Sequence, residues 1–430
     1  MASASSPSPE GPERPASRSP AAWWYRVTGP DGPVPGEKST LSYYTLLVAV
    51  LFLLTIGLIM VFSVQSVILA PQEESAFTLF SRYLLYAAGG LVAMFITSRL
   101  PQRWIQLMTF PVLGLGVALQ ASIFLFPSVR TCGGGNCNWV AVPVLGTVQP
   151  SEFIKLGLCL FVGYIAARHT ERLNGFKNVV LWVLVPVGLA VGAVLLGHDL
   201  GTVIILAMLV AGALWMAGLR WPWFAALGSL GLIVFSGMSM FQPNRRARIM
   251  AWLHPEIADP FDAGYQPKHG RWALGTGGWW GVGPGSSRQK WGYLTQADSD
   301  YIFAVLGEEF GLAGSLVVII LFAVVGWCCA RIIRRSQSLY VAAVTGGIMT
   351  WVVGQALVNM SVVVGLLPVL GVPLPLVSHG GSSLVSVLLA CGVLLSFARN
   401  ESGAAEALRS RPSAVSRTLA VISPRRRNRA

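Results

Sequence analysis

Ten times along this chain of 430 residues an apolar run approaches the ~20 residues a helix needs to cross hydrocarbon. The runs lie at roughly 43–66, 80–98, 106–126, 150–167, 178–196, 200–217, 222–241, 301–326, 338–364 and 382–397. They lack the alternation of barrel strands, and an open sheet edge cannot be satisfied in lipid, so helices are expected. Composition agrees: 54% of residues are hydrophobic and 11% charged, with a mean hydropathy of +0.62, which excludes the soluble globular class. The expected fold class is an all-α polytopic membrane protein of about ten transmembrane helices, with a large extracytoplasmic loop between helices 7 and 8.

Residues 1–40 are rich in Ser, Pro, Gly and Ala without an apolar core, so they read as a disordered tail and not a cleaved signal peptide. The membrane domain is expected over 41–398, followed by a basic disordered tail over 399–430. The short basic loops "SRLPQRW", "ARHTERLNGFKN", "GLRW" and "ARIIRRS" fall on the same side as both tails, which makes both termini cytoplasmic. The net charge of +13 could point to nucleic acid. The tail "RSRPSAVSRTLAVISPRRRNRA" is better placed to meet anionic membrane lipids, and no basic-aromatic nucleic-acid module is visible.

Three outer segments have room for chemistry: 127–149, 242–300 and "LLPVLGVPLPLVSHGG". Segment 242–300 holds seven lysines and arginines against five acids, against the positive-inside bias, so an anionic ligand outside is expected. Its tryptophans, Trp252, Trp272, Trp279, Trp280 and Trp291, suit a position along the headgroups. The series "GTGGWWGVGPGSS" is either a phosphate cradle or a glycine-rich surface loop. Cys132 and Cys137 bracket "CGGGNC" in an oxidising compartment, where a disulfide can staple the loop; the other four cysteines lie in spans as small apolar residues.

Polar residues interrupt the apolar pattern at the outer helix ends. In "QPSEFIK", Pro150 suits a first helical turn, and Glu152 and Lys155 share a face and can pair, as a structural tie or as part of a site. In "GHDLGT", His198 and Asp199 mark either a ligand-lining break or an Asp-capped hairpin. Pro368, Pro373 and Pro375 interrupt the helix before His379, and backbone of that kind is tolerated at membrane depth only inside protein or beside a cavity. In "QADSDYIFAVLGEEFG", Asp298, Ser299 or Asp300 can cap the helix, or Asp300, short of hydration beside lipid, can act as a general base. Glu308 lies about 12 Å deeper at 1.5 Å per residue, too deep to share a water-exposed group. The five histidines show no metal-ligand spacing, and no serine elbow is present.

The order of "VQPSEFIKL", "HDLGT", "RRARIMAWLHPEIADPFDAGYQ", "GVGPGSSRQKWGYL", "SDYIFAVLGEEFG" and "GLLPVLGVPLPLVSHGGSS" resembles the SEDS family of bacterial peptidoglycan glycosyltransferases over roughly 43–398. The resemblance implies a ten-helix enzyme that polymerises lipid II outside the cytoplasmic membrane, at the division septum or, alternatively, in elongation. It implies as partners a class B penicillin-binding protein and divisome proteins. A diphosphate leaving group on the outer face needs cations, which Arg245, Arg248, Lys290 or a bound divalent cation, Mg or Mn, could supply. Asp300 falls on the family's essential aspartate and is the expected catalytic residue. Arg245, Arg248, Gln289, Lys290, Trp139, Glu152, Lys155, Ser382 and Ser383 are the expected substrate-binding residues. The chain departs from the family wording at Gln296 and Asp298, where Glu and His are usual, at His379 in place of Tyr, and at Asn138 in place of Arg. A lipid II flippase and a non-catalytic scaffold are the readings from other classes.

Overall fold

The apolar runs fold as helices whose ends coincide with their proline and glycine punctuation. The computed structural model describes residues 40–68, 76–133, 136–142, 146–169, 175–256 and 263–401. Nearly all of both expected tails lies outside the described residues. In chain order the helices are α1 (Leu41–Ile68), α2 (Ala76–Arg99), α3 (Gln102–Leu125), α4 (Pro150–Arg168), α5 (Lys177–Leu196), α6 (Leu200–Met216) and α7 (Trp221–Phe241). They continue with α8 (Pro243–Leu253), α9 (Tyr265–Gly277), α10 (Ile302–Arg335), α11 (Leu339–Val364) and α12 (Gly381–Arg399). Among the described residues eight helices are long and apolar enough to cross a membrane, and α6 and α7 contribute two shorter apolar stretches, Leu200–Met216 and Trp221–Gly237. The chain is thus a mostly helical, multi-pass membrane protein.

Burial ranks the helices. The apolar windows of α4 and α12 are 83% and 78% buried, against 22%, 22% and 28% for α2, α3 and α5, so the first two form the centre and the last three face lipid. α12 packs on α2, α4 on α3, α6 on α11, and α10 on both α1 and α9.

Two of the segments between the spans carry more structure than the sequence indicates. Segment 127–149 contains an antiparallel sheet of β1 (Arg130–Gly133), β2 (Asn136–Val142) and β3 (Gly146–Val148), with Thr131 opposite Trp139 and Ala141 opposite Thr147. A disulfide joins Cys132 to Cys137 across the first hairpin. Segment 242–300 contains α8 and α9, and the tryptophans expected along the headgroups are exposed, Trp280 at 84%.

α10 is broken, which the apolar run does not show. Gly311 adopts φ 67° and ψ −164°, so the helix loses its internal hydrogen bonds there. The glycine series supplies replacements. Val282 N donates to Glu308 O at 2.9 Å and Gly283 N to Glu309 O at 3.1 Å, while Leu312 N donates to Gly278 O at 2.9 Å and Ala313 N to Trp279 O at 3.2 Å. Within that series the N–H groups of Val282 and Gly283 are spent on the helix break and are not free for a phosphate, against the cradle reading.

Candidate functional site

The N-terminal ends of α4, α6, α10 and α12 are tied together at one end of the bundle. Asp199 caps α6, accepting from Thr202 N at 3.0 Å and Thr202 Oγ1 at 2.8 Å. Its Oδ2 also accepts from Gln149 Nε2 at 3.0 Å, just before α4. Gln149 N in turn donates to Ser382 Oγ at 3.1 Å, in the first turn of α12. His379 N, just before α12, donates to Asp298 O at 2.7 Å, just before α10.

Asp300 stands at the start of α10 without serving as its cap. The capping position is Tyr301, which makes no side-chain cap bond. The backbone around Asp300 is held on both sides: Asn359 Nδ2 donates to Asp300 O at 2.8 Å, and Ser378 Oγ to Ser299 O at 2.6 Å. The half-buried carboxylate faces Gly371 (φ 70°), where a Cβ would lie 3.6 Å from Asp300 Oδ2. Burial pushes its pKa up to about 6; the Arg248 guanidinium opposes this, and the Asp298 and Asp199 carboxylates add to it. A carboxylate in that range is ionised at neutral pH and basic enough to take a proton from an alcohol as its oxygen attacks.

A cavity of about 430 Å³ opens beside it, lined by His198, Leu200, Gly201, Gln242, Arg245, Arg248, Ile249 and the 368–370 segment among others. Asp300 does not line it, but meets its wall through Gly371, which follows Leu370. Arg245 Nη2 donates to His198 O, and Gln242 Nε2 lies 3.2 Å from His198 Nδ1, so the start of α8 is fastened over the start of α6. Arg248, one turn on, is exposed. The proline-interrupted segment runs through the protein interior, with Leu374, Leu376 and Val377 almost fully buried.

Of the expected substrate-binding residues, the structure brings Arg245 and Arg248 to this cavity. Others are engaged inside the protein. Lys155 Nζ bonds Glu152 Oε1 at 2.7 Å and Gln355 Oε1 at 3.2 Å, with both charged side chains 2% exposed. Lys290 Nζ is bonded to Glu309 Oε1, Ser63 Oγ and Gly285 O, each at 2.8 Å, and is likewise buried. Gln289 Oε1 lies 2.7 Å from His269 Nδ1, and its N–H donates to Glu308 Oε2 at 3.3 Å. Arg288 N and Ser287 Oγ also donate to Glu308. The anion held by this loop's N–H groups is therefore the chain's own Glu308. Ser382 is occupied with Gln149, Ser383 is half-buried in the first turn of α12, and Trp139 is half-buried on β2. Asn138 is fully buried, accepting from Gln120 Nε2 at 2.7 Å.

Sequence reasoning did not find Asn359, Gln149 or Ser378. The available signal was an amide within an apolar run, as Asn359 is in α11. Among the described residues no three His, Cys, Asp or Glu side chains gather into a metal-ligand set.

A model of the FtsW/RodA/SpoVE family, described as cell cycle proteins, matches residues 44–403. Stage V sporulation protein E of Bacillus subtilis (strain 168) is 35% identical over 366 residues, covering 84% of this chain and 98% of that protein. The probable peptidoglycan glycosyltransferase FtsW of Mycobacterium tuberculosis (strain ATCC 25618 / H37Rv) is 34% identical over 388 residues, 89% of this chain and 73% of that one. Among solved structures, a chain from a study of how a peptidoglycan synthase complex coordinates polymerization and crosslinking superposes with a TM-score of 0.67 at 24% identity, covering 84% of this chain and 99% of that chain. The rod shape determining protein RodA of Thermus thermophilus gives 0.57 at 22% identity over 84% and 98%. At those identities the two structures speak for the fold.

Proposed function

The chain belongs to the FtsW/RodA/SpoVE family, and from that membership we propose that it is a peptidoglycan glycosyltransferase acting in septal wall synthesis. It joins lipid II units into glycan on the outer face of the cytoplasmic membrane. Ten helices cross the bilayer, α6 and α7 included. The end bearing Arg99, Arg103, Arg168, Arg220, Arg334 and Arg335 faces the cytoplasm with both termini, and the end bearing Asp300 faces out.

The observation that carries the chemistry is the half-buried carboxylate of Asp300 backed onto the wall of a cavity lined by Arg245 and Arg248. In the proposed step, Asp300 accepts the proton of the acceptor's GlcNAc C4 hydroxyl. That oxygen forms a bond to the anomeric carbon of the growing chain. The bond from this carbon to the undecaprenyl diphosphate oxygen breaks, with inversion, and the leaving diphosphate takes the electron pair. The arginines stabilise the charge as it develops there. Among the described residues no three His, Cys, Asp or Glu side chains gather into a metal-ligand set, and a divalent ion enters the proposal only as one carried in on the diphosphate, with no step assigned to it.

The partner is proposed to be a class B penicillin-binding protein, in keeping with a related fold determined in a peptidoglycan synthase complex. The flippase reading is weakened, because Glu152, Lys155, Glu308 and Glu309 all bond to groups within the protein. Fluorescent lipid II supplied to the purified protein separates the readings. Glycan ladders are expected; translocation without ladders would mean a flippase, and neither would mean a scaffold.

A further inference from the structure

Two of the positions where this chain departs from the family wording meet in space. Asp298 Oδ2 lies 3.0 Å from His379 Nδ1, and His379 N donates to Asp298 O at 2.7 Å. Backbone and side chains thus join the same two residues, across the gap between the starts of α10 and α12. The side chains are 39% exposed for His379 and 23% for Asp298, so the pair faces the outer solvent. The imidazole edge rests on Tyr83 at 5.4 Å between ring centres, and Tyr83 OH donates to Ser378 O at 3.2 Å. Ser378 is the residue whose hydroxyl donates to Ser299 O. Tyr83, Ser378, His379 and Asp298 therefore enclose the backbone that leads into Asp300.

We propose that Asp298 and His379 form a positioning pair for Asp300: a carboxylate–imidazole clasp that fixes the aim of the base. The proposal rests on Asp300 being the base. Geometry gives it two consequences. Without the clasp the 298–300 turn is held only by its other bonds, and misaiming a reacting group slows chemistry more than binding. The second consequence is electrostatic. The Asp298 carboxylate held by the clasp pushes the pKa of Asp300 up, among Arg248, Asp199 and Tyr301, which also face the base.

The test uses the full-length protein and fluorescent lipid II. Asp298→Asn and His379→Gln, which preserve shape, are each expected to lower kcat about tenfold with KM changed by less than about twofold, and the double variant should be no slower than the slower single one. The acid limb of the kcat/KM profile should move to lower pH in Asp298→Asn, which removes a negative neighbour of the base. A purely structural tie would leave the limb in place. Losses that multiply in the double variant, or an unmoved limb in Asp298→Asn, would overturn the pairing. Thermal melting shows that each variant is folded. Asp300→Asn run in parallel separates the two ideas: if it polymerises, the base assignment fails, and if it is inactive while the pair variants match the wild type, only the clasp fails.

Discussion

Asn359, within α11, donates to the carbonyl of Asp300 at 2.8 Å and to that of Val372 at 2.7 Å. One buried amide thus ties the proposed base to the proline-interrupted segment at the cavity wall. Asn359→Leu would leave both carbonyls without this donor. It is expected to cost about 1–3 kcal/mol of stability, the typical penalty for an unsatisfied buried polar group. It should also lower kcat about tenfold by freeing the turn that carries the base. Thermal unfolding in detergent and initial rates of glycan formation read the two effects.

The pH dependence follows from burial of Asp300, which raises its pKa to about 6. The base must be ionised, so kcat/KM should fall as pH drops through about 6 and level off above it. The sign for stability is the reverse of the usual carboxylate case. Below the unfolded value the group is protonated in both states and contributes nothing. As pH rises from there towards the folded value, the unfolded chain ionises more readily, and stability is lost. Asp300→Asn is therefore expected to melt a few degrees higher than the wild type at pH 7.5, with the difference shrinking as the pH falls towards 4 and vanishing only below the unfolded value.

Lys290 and Glu309 offer a test of the loop anchor. Each is about 1% exposed and they meet at 2.8 Å. Removing one partner strands a buried charge, so Glu309→Gln or Lys290→Met alone should cost about 3–5 kcal/mol, and the double replacement should recover most of that loss. Chemical denaturation of the three variants measures it.

The helices are legible because lipid demands long apolar runs: among the described residues eight of the ten runs became helices long enough to span, and two became shorter apolar helices. Asp199 as a cap, and Glu152 with Lys155 as a pair, are legible because both depend on spacings of three residues along one helix. What the sequence hides is determined across the fold. Gly311 looks like any glycine in an apolar helix until the 278–283 strip is laid into the break beside it. Glu308 reads as a stray intramembrane carboxylate until the N–H groups of Arg288 and Gln289 arrive from twenty residues away. Lys290 reads as an outer cation for a diphosphate, because nothing local reveals Glu309 and Ser63 as its partners. Asp298 and His379 are 81 residues apart, and only the fold brings them together.

The break itself predicts a specific intolerance. Gly311 has a left-handed φ, and a Cβ there would collide with Gly281 N and the Trp279 carbonyl. Gly311→Ala should therefore destabilise by more than the ~1 kcal/mol of an ordinary left-handed glycine. Gly89→Ala on lipid-facing α2, where a Cβ meets nothing within 4 Å, should be near neutral. Melting temperatures of the two variants give the comparison.

The most direct measurement is the rate of glycan chain growth from lipid II by the wild type and by Asp300→Asn, each purified, folded and supplied with the same crosslinking partner. The amide keeps the size of the carboxylate and cannot accept the hydroxyl proton. The wild type should build long ladders, and the variant should lose about 100-fold or more in rate, the scale of a general base, while still binding lipid II. Ladders of equal length growing at equal rate in both would contradict the account.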